Sequence, residues 1–470
     1  MKVRTITLLA VVAMVAAALV PGAAFAQAYT TSFTTSITYQ NVGDAESTIT
    51  IKFYASPTTT TPITITRPNL AAGAGTSLFI GGLTDISEGF QGSAILESSE
   101  PILATLVQLP QNSTTVKNRP LSNGFSSGGG TSLIATVLKN TFDTNSIFSI
   151  QNADTESNNV TIKFYNTSAA LVHTITTSIQ PGGSFYVDAA QVSQLGSSFN
   201  GSAVVEAVRA DLSAGSIVAS AMELAVTGTA ASAFEGVPAG ATTFYMPSAL
   251  CQAFGANTSY AVQNTSLTTN TDVTVTYSNG KTETQGIGPG AKKSFIACNA
   301  SGMPTGFSGS ATITSSATPV IAIGKAYGSG LSTAFVGASS GASEVALPYV
   351  RYASNANYAA GVQQRVFITI QNVGGSALAA GEVTVKYIDK FGVVVGTPHS
   401  LGSIPAGGKV NSNASNAGLA EFGVYPDGSF GGGAIITGPA GSQLAVVARV
   451  STQLSSGTFA SEDYNGMPVP

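Results

Sequence analysis

The chain has 470 residues and a formal net charge of −4, with 19 Lys and Arg against 23 Asp and Glu. No basic cluster offers an electrostatic footprint for nucleic acid or anionic lipid. Charged residues make up 9% of the chain, against about 25% in ordinary soluble domains, yet a hydrophobic share of 43% excludes disorder.

From the N-terminus, Lys2 and Arg4 precede an apolar run from Ile6 to Val20, then Pro21 and the small-residue site Ala24-Phe25-Ala26. This pattern predicts a secretory signal peptide over residues 1–26, cleaved after Ala26 to leave a mature chain from Gln27. The run is about fifteen residues long, short of the roughly twenty that span a bilayer. No later segment is apolar for long enough to do so. The expected location is outside the cell, secreted or at the cell surface, with no membrane span in the mature chain.

Beyond the leader the sequence repeats. Gln-Asn recurs at Gln40-Asn41, Gln151-Asn152, Gln263-Asn264 and Gln371-Asn372, at intervals of 111, 112 and 108 residues. A second marker keeps step with it: "FQGSAIL" from Phe90, "FNGSAVV" from Phe199, "FSGSATI" from Phe307 and the looser "FGGGAII" from Phe430. A third is a Gly-rich turn before a strand, as in "QPGGSFYV" and "GPGAKKSFI". A period near 110 residues exceeds that of solenoid repeats, and each unit is large enough to own a core.

Within each unit the alternation has period two, as in Ile49, Ile51, Phe53 and in Val160, Ile162, Phe164, the mark of strands with one buried face. Six or seven short strands per unit are expected. The Asn of Gln-Asn lies where a strand leaves the sheet, where its side chain can bond the backbone two residues on and build the turn. Phe-x-Gly-Ser-Ala reads as a core aromatic beside a glycine that admits close backbone approach.

Taken in chain order, the expected units are residues 27–121, a flexible linker over 122–131 rich in Ser and Gly, then 132–238, 239–340 and 341–463, followed by a tail over 464–470. Short strands punctuated by Gly and Pro read as antiparallel β-sandwiches. The chain resembles the immunoglobulin-like tandem repeat proteins of bacterial surfaces, a family that includes surface-layer subunits, filament subunits and adhesins. The resemblance implies an all-β fold of four tandem immunoglobulin-like β-sandwich domains. It departs from antibody domains in having no Trp and only two cysteines.

Those cysteines, Cys251 and Cys298, fall within one unit and are expected to form a disulfide, which an exported protein can keep. No Cys or His pair has zinc spacing, so no metal or cofactor is expected. The two histidines, His173 and His399, belong to different units and have no recurring partner. With no Walker Lys, no calcium loop and no recurring pair of carboxylates, the chain reads as noncatalytic. Eight Asn-x-Ser/Thr sequons, including Asn112, Asn166 and Asn257, match what abundant Ser and Thr produce by chance.

The two ends differ. Later units open with a strand such as "SLIATVLKN", "FYMPSAL" or "VALPYVRY", whereas the first has only thirteen mature residues before Gln40. The first unit therefore lacks its opening strand. The tail Tyr464-Asn465-Gly466-Met467-Pro468-Val469-Pro470 resembles the beginning of one and is read as a donor strand that completes the first unit of the next molecule; the alternatives are that it is a remnant of repeat duplication and that Ala28 to Ser32 fold back as the missing strand. The expected partner is the protein itself, in a surface layer, sheath or head-to-tail filament. The other reading is an adhesin or carbohydrate-binding protein that meets surface glycans through loop aromatics such as Tyr352 and Tyr358, which do not recur between units.

Overall fold

The computed structural model describes residues 31–56, 61–111, 116–328, 331–354, 363–426, 429, 431–454 and 459–470. The expected signal peptide, Asn112, Tyr358 and Phe430 lie outside them. The described residues are all-β, with antiparallel strands and only short 3₁₀ turns between them. They fall in chain order into pairs of facing sheets.

The first pair contains β1 (Ser32–Asn41), β2 (Ser47–Ala55), β3 (Ile63–Leu70), β4 (Gly75–Phe79), β5 (Gly92–Ser98), β6 (Ile102–Gln111) and β7 (Leu121–Asn123). Its sheets run β4-β1-β6-β7 and β3-β2-β5. The second contains β8 (Thr131–Lys139), β9 (Thr144–Asn152), β10 (Asn158–Asn166), β11 (Leu171–Ile179), β12 (Ser184–Asp188), β13 (Phe199–Val208), β14 (Ile217–Ala225) and β15 (Ala231–Glu235), in the orders β11-β10-β13-β8 and β12-β9-β14-β15.

The third contains β16 (Thr243–Cys251), β17 (Asn257–Asn264), β18 (Thr271–Tyr277), β19 (Thr282–Ile287), β20 (Lys292–Ile296), β21 (Phe307–Ser315), β22 (Val320–Gly328) and β23 (Leu331–Val336). Its orders are β16-β21-β18-β19 and β20-β17-β22-β23. The fourth contains β24 (Glu344–Leu347), β25 (Tyr352–Ala353), β26 (Gln363–Asn372), β27 (Thr384–Asp389), β28 (Val394–Ser400), β29 (Lys409–Ser412), β30 (Gly432–Thr437), β31 (Leu444–Gln453), β32 (Phe459–Asn465) and β33 (Met467–Pro468). Its orders are β28-β27-β30-β24-β33 and β25-β26-β31-β32, with β29 on β26.

Alternating residues of the facing sheets close each core: Ile49, Ile51 and Phe53 in the first pair, Val160, Ile162 and Phe164 in the second, all buried. The Asn that ends β1, β9, β17 and β26 is buried in every pair and holds the following turn. Its Oδ1 accepts from the backbone N–H two residues on, at Gly43 (2.9 Å), Asp154 (2.8 Å), Ser266 (3.0 Å) and Gly374 (3.0 Å). Its Nδ2 donates to the carbonyls of Ala45, Glu156, Thr269 and Ser376.

Phe199 lies over Gly201, where a Cβ would collide with the ring and with the Tyr165 carbonyl. Its edge meets Phe164, with centroids 6.4 Å apart. Phe90 and Phe307 do the same beside Phe53 and Tyr277. In the fourth pair Phe422 occupies this place over Gly432 and beside Tyr387. Cys251 and Cys298 are disulfide-bonded, with Cα atoms 4.9 Å apart.

Three boundaries differ from the sequence expectation. The short strands β15, β23 and β32 each form a hairpin with the strand before them; none shows strong apolar alternation, so the expected strand count was low. Residues 122–131, expected as a flexible linker, begin inside β7 with Ser122 and Asn123 buried and end on β8. Tyr464 and Asn465, expected in a separate tail, are the end of β32.

Candidate interaction site at the first sheet pair

Two of the junctions between successive sheet pairs share one contact. Gln151 Nε2 donates to the Ala94 carbonyl (3.4 Å), and Ser93 Oγ donates to the Gly182 carbonyl (2.6 Å). Between the third and fourth pairs, Gln371 Nε2 donates to Ala311 O (3.3 Å) and Ser310 Oγ to Gly407 O (2.7 Å). Lys292 Nζ reaches Gly201 O (3.0 Å) between the second and third. The fourth lies against the first at the corresponding place, where a Cβ at Gly433 would come 2.7 Å from Gln40 Oε1, while Gln40 Nε2 donates to Gly73 O (3.0 Å) in its own pair.

At the centre, β7, β15, β23 and β32 lie side by side. Glu235 accepts from the Asn123 backbone N–H, Thr333 Oγ1 donates to Asp463 (2.7 Å), and Asn123 Nδ2 donates to the Asn465 carbonyl (2.8 Å). Val107 and Leu121 join the core of the fourth pair. The contacts thus run around a closed circuit, from first pair to fourth and back to the first. An open hollow of about 340 Å³ at one end of this centre is lined by Asn123, Phe125, Glu235, Val237, Ala338 and Met467.

One strand position differs around the circuit. β8, β16 and β24 lie on the free side of β13, β21 and β30, placing Ile134 opposite Ala203, Met246 opposite Ala311 and Leu347 opposite Ala434. All three of these apolar side chains are fully buried. The corresponding strand β5 has β2 on one side and no described strand on the other, which leaves Ala94 without an opposite number.

Neighbouring positions follow suit. Gly129 bridges Ile217, Ala241 bridges Val320 and Ala342 bridges Leu444; among the described residues Ile102 has no such bridge. Ala94, Leu96, Ile102, Ala104 and Leu106 are half-buried, while their counterparts Ala203, Val205, Ile217, Ala219 and Ala221 are buried. A missing edge strand leaves both apolar core and unpaired backbone groups uncovered.

The chain end takes a place other than the one the sequence suggested. Gly466 N–H donates to Val446 O (2.8 Å), as Gly124, Gly236 and Gly337 donate to Ala104, Ala219 and Ala322. Met467 then pairs with Ala346 and Pro468 with Val345, where Val237 pairs with Leu133 and Ala338 with Tyr245. The segment is therefore the end of the fourth pair, corresponding to "EGVP" from Glu235 to Pro238, and the match of its Met-Pro to "FYMPSAL" is corrected on this point. Tyr464 is buried and its hydroxyl donates to Tyr349 O (2.7 Å), Val469 N–H donates to Glu344 O (3.1 Å), and Pro470 is exposed. In the first pair the matching residue is Phe125, which bridges no strand among the described residues and is 37% exposed.

Ionisable side chains collect at the junctions. Burial pushes the Glu462 carboxyl up to about 8, against the help of the Arg119 backbone N–H, and raises Glu235. Burial lowers Lys292 to about 7. Arg449 pairs with buried Asp463 (2.7 Å) and Lys325 with Glu223 (2.7 Å). None of these groups was singled out in the sequence. His173 stacks on Phe164 and His399 Nδ1 bonds Ser412 Oγ (2.8 Å), each within its own sheet pair.

Sequence reasoning also passed over two hairpin tips. Phe142 and Phe254 are 79% and 90% exposed, both with φ of +53°. Asn145 Oδ1 and Asn257 Oδ1 hold the two turns by accepting from Asn140 N–H (2.7 Å) and Gln252 N–H (3.0 Å). The signal was present, since each Phe stands ten residues before the Asn of its Gln-Asn pair. Tyr352, by contrast, is half-buried beneath the Arg365 guanidinium.

No protein-family model matches the chain, and no curated protein matches it. Among the described residues no helix is long and apolar enough to cross a membrane, and no cluster of three or more His, Cys, Asp or Glu is placed to hold a metal ion.

Proposed function

We propose that the chain is a noncatalytic extracellular structural protein that self-associates into a surface layer, sheath or filament. In this reading the sheet pairs are four tandem immunoglobulin-like domains, exported by the leader of residues 1–26. The observation that carries it is the sparse charge of the chain, which leaves few Lys or Glu to guard its strand edges against other copies. A surface with 9% charged residues adds little repulsion between copies. The closed circuit uses up the junctions between sheet pairs internally, so association between chains needs a different surface. Light scattering and electron microscopy on the chain from Gln27 onward test the reading: particles of several chain masses are expected, and a single chain mass at every concentration rejects it.

A second reading, a secreted adhesin or carbohydrate-binding protein, is favoured by the repeated exposed aromatics Phe142 and Phe254. It expects glycan-array binding that is lost in Phe142→Ser/Phe254→Ser, by a protein that stays monomeric.

A further inference from the structure

We propose that a cavity between the two edge strands of the first sheet pair binds a sugar acid, a molecule of one sugar ring whose carboxylate meets Arg67 and whose hydroxyls meet Tyr39, Thr76 and Asn69. The proposal does not rest on self-association, and it places the ligand away from the hairpin tips of Phe142 and Phe254. β3 and β4 are the outermost strands of their facing sheets. The space between them, about 250 Å³, is lined by residues that include Tyr39, Arg67, Pro68, Asn69, Thr76 and Leu78.

The other sheet pairs show what is particular to this place. The counterparts of Tyr39, one residue before the Gln of Gln-Asn, are Ile150, Val262 and Ile370, all buried and aliphatic. Tyr39 is equally buried, at 1% exposed. Its hydroxyl makes no hydrogen bond among the described residues, a costly arrangement that a ligand in the cavity would relieve. Arg67 lies across from buried Ile49 in the β2–β3 ladder, as Thr177 and Gln285 lie across from Val160 and Val273. Side chains directly opposite one another in a ladder share a face, so the guanidinium stands on the core side of its edge strand. In the third pair Gln285 Nε2 closes the corresponding gap by donating to the carbonyl of Ser294 on the facing edge strand β20 (3.1 Å). Arg67 is exposed and makes neither such a bond nor an ion pair among the described residues. Its charge acts on Tyr39, opposing the rise in the phenol pKa that burial causes.

A β-bulge shapes the opening. β2 advances two residues from Ser47 to Ile49 while β3 covers three, from Leu70 to Arg67, and Asn69 takes a φ of +62°. The β10–β11 and β18–β19 ladders run through the same place without a shift. Bulges recur beside functional sites, where they re-aim a side chain. Arg67 is the only charged residue among the described residues that line the cavity, so the site selects an anion. The paired N–H donors of a guanidinium match one carboxylate, whereas a phosphate dianion would call for a second cation. Tyr39, Thr76 and Asn69 add neutral donors and acceptors, the complement of a hydroxylated body. The volume lies below the roughly 300–1,000 Å³ of sites for drug-sized ligands, which limits the occupant to a single ring.

Isothermal titration calorimetry of the chain from Gln27 onward with glucuronate, glucose and inorganic phosphate tests this. Saturable binding of glucuronate is expected, about tenfold or more tighter than glucose or phosphate. Arg67→Gln, at an exposed position, should weaken it about tenfold or more. Tyr39→Phe removes an unbonded hydroxyl and should weaken it about fivefold, with a ligand-free thermal midpoint no lower than the parent's. Phe142→Ser/Phe254→Ser should bind as the parent does. The proposal is overturned if glucuronate does not bind, if glucose or phosphate binds as tightly, or if Arg67→Gln or Tyr39→Phe binds like the parent. A lower ligand-free midpoint in Tyr39→Phe, or loss of binding in Phe142→Ser/Phe254→Ser, overturns it as well.

Discussion

Glu462→Gln tests the account of the central charges most directly. The Glu462 carboxyl titrates near 4.5 when unfolded and is raised to about 8 in the folded chain, chiefly by burial, with Asp463 adding to the rise and Arg119 opposing it. The folded state therefore holds the proton more tightly than the unfolded state. Its contribution is fully present below about pH 4.5 and is lost as pH rises through about 8. At 1.36 kcal/mol per pH unit the span corresponds to roughly 5 kcal/mol, an upper figure because local opening lets the charge reach water. Glutamine keeps an oxygen to accept from the Arg119 N–H and never ionises. The variant should match the parent near pH 5 and exceed its thermal midpoint by a growing margin up to pH 9. Parallel midpoint curves for parent and variant across pH 5–9 would refute the assignment of a neutral buried carboxyl.

Lys292→Met should show the opposite slope. Burial lowers the ammonium from 10.5 to about 7, so the parent loses stability as pH falls from about 10.5 towards 7, and the variant should flatten that limb of the midpoint curve. Asn152→Ala removes the partners of the Asp154 N–H, the Glu156 and Ile179 carbonyls and the Asn158 amide. At about 1–3 kcal/mol per stranded buried group, with some recovered by water, a loss of about 4 kcal/mol is expected. Faster amide exchange in β10 should report it locally. Replacing Cys251 and Cys298 together by Ser should cost about 4 kcal/mol in the chain-entropy account of a 47-residue loop, read as a lower denaturant midpoint that reductant no longer changes. Phe254→Gly relieves a left-handed backbone at an exposed side chain and should stabilise by about 1 kcal/mol, an outcome that a lower thermal midpoint would contradict.

Local patterns were legible where local chemistry decides the structure. Period-two runs such as Ile49, Ile51 and Phe53 point one face at a core whatever lies across it, and all three are buried. The turn after Gln-Asn is equally local, because an Asn side chain reaches a backbone N–H two residues ahead without help from the rest of the chain. Gln in the same dipeptide was not legible, since its role at the junctions depends on Ala94 and Ala311, which come from the preceding sheet pair. Glu462 and Lys292 drew no notice because nothing in their neighbourhood of sequence reveals that another sheet pair covers them. The tail was misplaced for a related reason. A Met-Pro match outweighed Gly466, whose bond to Val446 sets the register.

The closed circuit also bears on why the first sheet pair differs from the others. Were the gap beside β5 a consequence of packing, the contacts between the fourth and first pairs would be disturbed as well. Gln40 instead sits against Gly433, and Asn123 bonds Asn465 across the centre, so the circuit is complete while β5 has no described strand on its outer side. Two properties of the molecule are thus separable: a junction that satisfies itself within one chain, and an edge whose core residues Ala94, Leu96 and Ile102 stay half-covered. Substitutions at Gln40 should therefore loosen the single chain, read as a lower thermal midpoint.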